Sequence, residues 1–403
     1  MLRKAVKIIQ PVRIFDENIN LLAEISNYES LMFTRSWHGI GDLELRINRY
    51  KKYTDTLQKG NIIVIGNEKH KCYKILHREI ELDEQGKVSE NWLIKGLELK
   101  SVAGQRITIP PSHVAYDSRS GSAETVMKHY INNNLVSPAD PKRKIEQLVI
   151  APNLSRGSHV NWQSRFKNVS EELIDISMLT GIGWFISVDY QSKKWVFDVK
   201  SGRDLTVNQT VNNPVIFSPE FDNIKHMYYV DSDLNHRNVA YVAGQGEGVE
   251  RRVVELGESV GLSRYELFVD ARDVAEKTED DQPVERPEDE IIADLRMRGQ
   301  KRLVEMDVEE FLEAQIMTPI KRTENGQVKV FSTFMYEHDY DLGDIVTVQN
   351  KGWGITTDTR ITEVTEIYDN TGFHLEATFG NSRPTLISRI KQELEQMGGE
   401  VRR

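Results

Sequence analysis

Arg237-Asn-Val-Ala-Tyr-Val-Ala-Gly-Gln-Gly-Glu-Gly-Val-Glu-Arg-Arg252, followed by Tyr265-Glu-Leu-Phe-Val-Asp-Ala-Arg-Asp273, is the stretch whose reading decides the fold. A glycine-rich loop between two apolar runs has the outline of a phosphate cradle. A dinucleotide fingerprint, however, needs a strand, then glycines, then a helix whose free N–H groups face the pyrophosphate. Here the glycines lead into Val249, Val253, Val254 and the paired arginines Arg251 and Arg252, a β-like run with no helix start. Gly244, Gly246 and Gly248 alternate, and no further glycine sits three residues after the second. These residues describe a strand, a wide glycine turn and a returning strand, not a nucleotide site.

The same run, from Arg237 and Asn238 through Gly248 to Arg251-Arg252 and on to Glu266-Leu-Phe-Val-Asp-Ala-Arg-Asp273, resembles the central signature of the tail-tip hub proteins of long-tailed phages. That family is similar in fold to the baseplate hub of contractile tails. Two further stretches agree in order and spacing. Tyr28-Glu-Ser-Leu-Met-Phe-Thr-Arg-Ser-Trp37, running into Gly41-Asp-Leu-Glu-Leu-Arg-Ile-Asn48, resembles the opening barrel strands. Tyr340-Asp-Leu-Gly-Asp-Ile-Val-Thr-Val348, leading through Arg360-Ile-Thr-Glu-Val364 to Thr378-Phe-Gly380, resembles the closing barrel. The resemblance covers roughly residues 20–385.

The resemblance implies an α+β, β-rich fold of two related small β-barrel domains with an inserted α+β domain and a helical excursion. It places family-signature or assembly positions at Arg237, Asn238, Gly244, Gly246, Gly248, Arg251, Arg252, Asp270, Arg272, Gly343, Asp344 and Gly380. It further implies a homotrimer at the distal end of a virion tail, assembled in the host cytoplasm. The implied neighbours are a distal tail protein or tail tube protein, a tape-measure protein and a tip spike or fibre, with DNA only passing through the bore. No enzyme activity and no cofactor is implied.

Composition bounds the answer independently. A chain of 403 residues is long enough for two to four domains with sizeable cores. Asp and Glu number 62 against 52 Lys and Arg, a formal net charge of -10, so no global basic field exists to hold a nucleic-acid backbone. The single cysteine, Cys72, excludes an internal disulfide framework and a cysteine-rich zinc site, and reads as a core thiol. The start, Met1 to Pro11, has too short an apolar run for a secretory signal and reads as a first strand. No stretch approaches the roughly 20 apolar residues of a membrane span, so a soluble chain is expected.

Periodicity supplies the elements. A compact β domain over 1–112 contains the run Gly60–Gly66 and a hairpin from Lys71 to Leu82, turning at Asp83–Gly86 and returning over Trp92–Leu97. Strands from 215–245 are candidates to complete it. An inserted α+β domain over 113–214 holds a helix from Ala123 to Leu135 behind a Ser122 cap. A second helix there opens on Asn168 and Glu171 and stops at Gly181, and a hairpin pairs Trp184–Tyr190 with Lys194–Val199. Residues 246–275 and 304–385 read as the second β region. An acidic loop and helix occupy 276–303, where Glu288 to Leu303 carries acids first and bases last and Gly299 weakens the final turn. Residues 386–403 read as a C-terminal helix and tail, on the helical spacing of Pro384 to Met397.

Chemistry-bearing clusters each have a plain structural explanation. His338-Asp-Tyr-Asp-Leu-Gly-Asp344 offers oxygens for a hard cation but lacks the calcium-hand spacing. His70, Cys72 and His77 cannot close a zinc set without distant help. No Gly-x-Ser-x-Gly elbow occurs. Trp37 and Trp353 flank glycines at loop-like places, where either could anchor an interface. Two alternatives to a structural hub stand beside it: a cell-wall-degrading glycosidase or peptidase, and a carbohydrate-binding adhesin.

Overall fold

The computed structural model describes residues 10–81, 90–277, 284–317, 320–324, 327–331 and 334–380. The turn at 83–86, most of the first strand read at 1–11 and the C-terminal helix read over 384–397 lie outside these residues.

The first half opens with β1 (Val12–Phe15), β2 (Leu21–Ile25), β3 (Ser30–Ser36), β4 (Asp42–Asn48), β5 (Ile62–Ile65), β6 (Cys72–Glu79) and β7 (Asn91–Glu98). They hydrogen-bond in the order β2-β1-β5-β6-β7-β4-β3, with every pair antiparallel. Alternation sets what faces inward. Leu31 and Phe33 of β3, Leu43, Leu45 and Ile47 of β4, and Tyr73 and Ile75 of β6 share one core. β5 is buried on both faces, and its two faces serve different cores. Ile63 and Ile65 join the core just named, while Ile62 and Val64 pack with the inserted domain.

That domain comprises β8 (Asp117–Ser122), α1 (Ala123–Ile131), β9 (Leu148–Ile150), β10 (His159–Ser164), α2 (Val169–Thr180), β11 (Gly183–Asp189) and β12 (Lys194–Lys200). The predicted caps are in place. Ser122 accepts the Thr125 N–H, Asn168 accepts the Ser170 N–H, and Gly181 closes α2 at φ 71°. α1 is shorter than its sequence pattern suggests, because a π-helical turn takes over at Asn132–Val136. Val126, Met127, Tyr130 and Ile131 of α1, with Leu173 and Ile176 of α2, pack on Trp184, Ile186 and Phe197 of the hairpin.

The chain then adds β13 (Asp204–Leu205), β14 (Ile216–Phe217) and β15 (Ile224–Ser232). None of these completes the first half. β13 and β14 run parallel to a strand near the chain's end, β22 (Ile345–Asn350), and β15 pairs antiparallel with β19 (Glu309–Ile316). Phe217, Leu205 and Ile224 bury their side chains with Leu312, Val346, Val348 and Phe379, which explains the preference for the second half.

Between β15 and β19 lies a separate unit. β16 (Val239–Ala243) is the centre of a three-stranded sheet, antiparallel to β17 (Val253–Leu256) and parallel to β18 (Glu266–Asp270). α3 (Glu288–Glu305) covers one face, with Ile291 and Leu295 on Ala240, Val242 and Val269. Residues 246–275 therefore join neither half of the long strand path; β17 and β18 pair with β16, and α3 covers the apolar face of that small sheet. Gly299 marks the close approach: an added Cβ would lie 2.2 Å from Leu256 Cδ1 and 2.6 Å from Val242 Cγ2.

The last strands are the β20–β21 hairpin (Ile320–Glu324 with Gln327–Phe331), β23 (Ile355–Tyr368) and β24 (Phe373–Gly380). β23 joins the halves: residues 355–360 pair with β22, and Glu363–Tyr368 pair with β3 on one side and β24 on the other. The result is a single hydrogen-bonded path, β15-β19-β24-β23-β3-β4-β7-β6-β5-β1-β2, with two cores on it. The fold is α+β and strand-rich as the sequence suggests. Among the described residues the path stays open, with β2 and β15 at its ends, and no closed barrel forms. No helix among them is long and apolar enough to cross a membrane.

Candidate functional site: the junction of the halves and the glycine signature

Trp37 leaves the end of β3 and is 4% exposed. Its backbone N–H donates to Thr362 O (2.8 Å) of the second half. Its indole N–H donates to Gly181 O (3.1 Å) of the inserted domain. Glycine is required on both sides of the ring, since an added Cβ would lie 2.5 Å from it at Gly183 and 2.0 Å at Gly343. The Arg360 guanidinium lies 5.6 Å from the ring centroid and bonds Gly343 O. Trp37 is thus an internal anchor joining three parts of the chain. Trp353 remains 52% exposed at the turn between β22 and β23.

Gly343 takes φ 92° and hands on to Asp344, which is buried. The Asp344 carboxylate accepts from the Arg203 N–H (2.8 Å), Arg203 Nε (3.1 Å), Arg203 Nη2 (2.6 Å) and the Asp341 N–H (2.9 Å). The oxygens of 338–344 are answered by cations and backbone donors. Asp341 receives Arg35 (2.9 Å) and Lys200 (2.8 Å), and Asp339 receives His338 (2.8 Å). No group of three or more His, Cys, Asp or Glu able to hold a metal occurs among the described residues. Cys72 is buried with its thiol toward Ile186 O (3.2 Å), His70 meets Glu337, and His77 meets Glu79.

Around the β3–β23 seam lies a charge cluster that spans the chain. Arg35 contacts Asp341 and Glu337 (3.3 Å), and Lys71 contacts Glu337 (2.9 Å) and Glu366 (2.6 Å). The Tyr336 hydroxyl accepts from Arg35, and the Tyr368 hydroxyl donates to Glu366 (2.7 Å). Burial pushes the Glu337 carboxyl up, but His70, Lys71 and Arg35 outweigh it and bring it down to about 2. Asp341 behaves alike: burial opposes ionisation, and Arg35 and Lys200 hold it well below the usual carboxylate range. Sequence reading missed this cluster, although one signal existed. Arg35 continues the inward phase of Leu31 and Phe33, and Glu366 that of Val364 and Tyr368, so each charge sits where an alternating strand calls for an apolar residue.

The central signature builds its own turn. Asn238 accepts the Tyr265 N–H (2.9 Å) and donates to Ser263 O (2.8 Å), and the Arg237 N–H donates to Met306 O (2.8 Å). The Gly244 N–H donates to Arg252 O (2.9 Å), and Gly246 and Gly248 take φ 101° and 55°. Arg251 donates to Gly244 O (2.9 Å), Ala243 O (3.1 Å) and Asp270 (2.7 Å), and Arg272 also closes on Asp270 (2.6 Å). Arg252 turns the other way, to Glu288 (2.6 Å) at the start of α3. The loop runs on into a short 3₁₀ turn and β17, with no helix whose N-terminus could face a phosphate. Gly380 belongs to β24 instead, at φ 82°, where an added Cβ would meet Glu310 O at 2.6 Å.

This arrangement is the fold of prophage tail proteins. The 43 kDa tail protein of prophage MuSo2 from Shewanella oneidensis superposes with a TM-score of 0.54 at 11% identity, covering 92% of this chain and 98% of that one. The tail protein from Neisseria meningitidis MC58 gives 0.52 at 13% identity, with 93% and 97% covered. The chain belongs to the family of Siphovirus ReqiPepy6 Gp37-like proteins, whose model matches residues 11–381. No curated protein matches it in sequence.

Proposed function

We propose that the chain is the hub closing the distal end of a phage or prophage tail, a non-enzymatic virion protein acting as a homotrimeric ring. The observation that supports this reading is one strand path that carries two separate hydrophobic cores and is open at both ends among the described residues. Two similar halves per chain, taken three times, present six quasi-equivalent surfaces to a hexameric tube or distal tail ring, while the inserted domains keep threefold symmetry toward a spike or fibre. The edges at β2 and β15 would pair or pack between copies, hiding backbone groups that otherwise invite aggregation. The tape-measure protein and the DNA would pass the bore. The outer face of β19, β23 and β24 sets Glu313, Glu363 and Glu376 opposite the buried face, which suits an anionic lining that repels DNA. The signature turn at Gly244–Gly248 is assigned to a subunit contact, and Gly246→Val should impair assembly.

Negative-stain imaging of the purified chain with two-dimensional averaging tests the reading. A threefold ring with a central hole is expected. Compact monomers that persist when the tube and distal ring proteins are added would overturn it. Clearing of peptidoglycan in a zymogram would favour the wall-degrading alternative instead.

A further inference from the structure

The connection from β4 to β5 carries Arg49, Tyr50, Lys51, Lys52 and Tyr53, five consecutive exposed residues in a chain of net charge -10. Among the described residues no carboxylate pairs with Arg49, Lys51 or Lys52, whereas nearby Arg46 and Arg13 each hold one, Glu44 (3.1 Å) and Glu24 (2.8 Å). The rings stand out with the charges. Tyr50 is 72% exposed with the Arg49 guanidinium 5.0 Å from its centroid, and Tyr53 is 40% exposed with Lys52 Nζ at 4.4 Å.

The loop is held in one shape. Asn48 Oδ1 accepts the Tyr50 N–H (3.0 Å), and the buried Thr54 hydroxyl donates to Arg49 O (2.9 Å) with Lys51 O at 3.0 Å. Leu57 is fully buried just beyond. Tyr53 sits at φ 71°, a left-handed conformation that costs a tyrosine energy and persists only where the surroundings fix it. The connection from β3 into β4 meets the inserted domain where the Trp184 indole donates to His38 O (2.8 Å). Loop 49–53 lies at the other end of β4, about 20 Å away at the usual rise per residue.

From this geometry we propose that loop 49–53 is a binding surface for a phosphate-linked glycopolymer of the bacterial surface. Unpaired cations at neighbouring positions suit successive phosphodiesters, and exposed tyrosine faces suit the apolar faces of sugar rings. A duplex nucleic acid offers the phosphates but buries its ring faces in the stack. The choice of a cell-surface source rests on the distal-tail reading; the binding itself does not.

The test uses the full purified chain and immobilised glucosylated poly(ribitol phosphate), read by biolayer interferometry at several salt concentrations, with oligodeoxythymidylate, dextran sulfate and neutral dextran as comparison probes. Expected is salt-dependent binding to the glycopolymer, none to neutral dextran, and a loss of about tenfold for Lys51→Glu/Lys52→Glu as two phosphate contacts disappear. Tyr50→Ala should weaken binding while leaving the salt slope unchanged. Unaltered thermal midpoints confirm that both variants fold, since all the changed side chains are exposed. Equal affinity of the double variant, or equal or tighter binding of dextran sulfate or oligodeoxythymidylate with no dependence on Tyr50, would overturn the proposal. Neither result bears on ring assembly, so the two readings fail separately.

Discussion

Trp37 concentrates three tertiary contacts in one side chain, and its removal should be costly out of proportion to its place at a strand end. Trp37→Ala opens a cavity between Gly183, Gly343 and Arg360 and is expected to cost about 3–5 kcal/mol, read as a lower midpoint in urea unfolding. Glu337 gives a pH signature. Its folded pKa of about 2 lies below the ordinary glutamate value, so its contribution is complete above that value and is lost as pH falls from about 4.5 to about 2. With a side chain that is 27% exposed, the screened contribution is about 2 kcal/mol. Glu337→Gln should flatten the stability-versus-pH curve over that window while shifting it little between pH 5 and 8 relative to its own plateau. The identities at these positions were readable in the chain, but their partners were not. Arg35 and Asp341 are 306 residues apart, and nothing local announces which buried charge answers which.

Helix ends were legible because capping is a short-range matter: Ser122, Asn168 and Gly181 act within a turn of themselves. Strand identities were legible for the same reason, through alternation. Strand partners were not, and residues 246–275 show why. β16 and β18 run parallel across a 22-residue connection, so no hairpin turn advertises the pairing. Gly299 is the instructive case, since its weakness as a helix former was visible and its purpose was not. Gly299→Ala would gain about 1 kcal/mol of helix propensity, yet its methyl would collide with Leu256 and with Val242, which is fully buried. Overpacking of this kind costs about 1–3 kcal/mol, so net destabilisation is expected, measurable as a lower melting temperature.

Among the described residues the long strand path ends in two edges, β2 and β15, and the assembly reading predicts different fates for changes at an edge and changes in a core. Leu22 on β2 is 42% exposed, so Leu22→Lys should leave the isolated chain's stability within about 0.5 kcal/mol. If β2 meets a neighbouring copy, the same change should shift the particle from trimer to monomer in light scattering. A trimer unaffected by it would remove β2 from the interface. The fold class and the hub resemblance came through at this scale because the motifs stand in the right order along the chain. The merging of two expected barrels into one sheet did not, because it depends on β3 finding β23.

That pairing carries a consequence for synthesis. β3 emerges from the ribosome some 300 residues ahead of the strand that completes it, and through that interval its outer row of backbone donors and acceptors faces solvent. Contacts so distant in sequence also close slowly. A nascent chain of this protein is therefore expected to engage holding chaperones until translation reaches Tyr368, and production in a host with few of them should yield inclusion bodies.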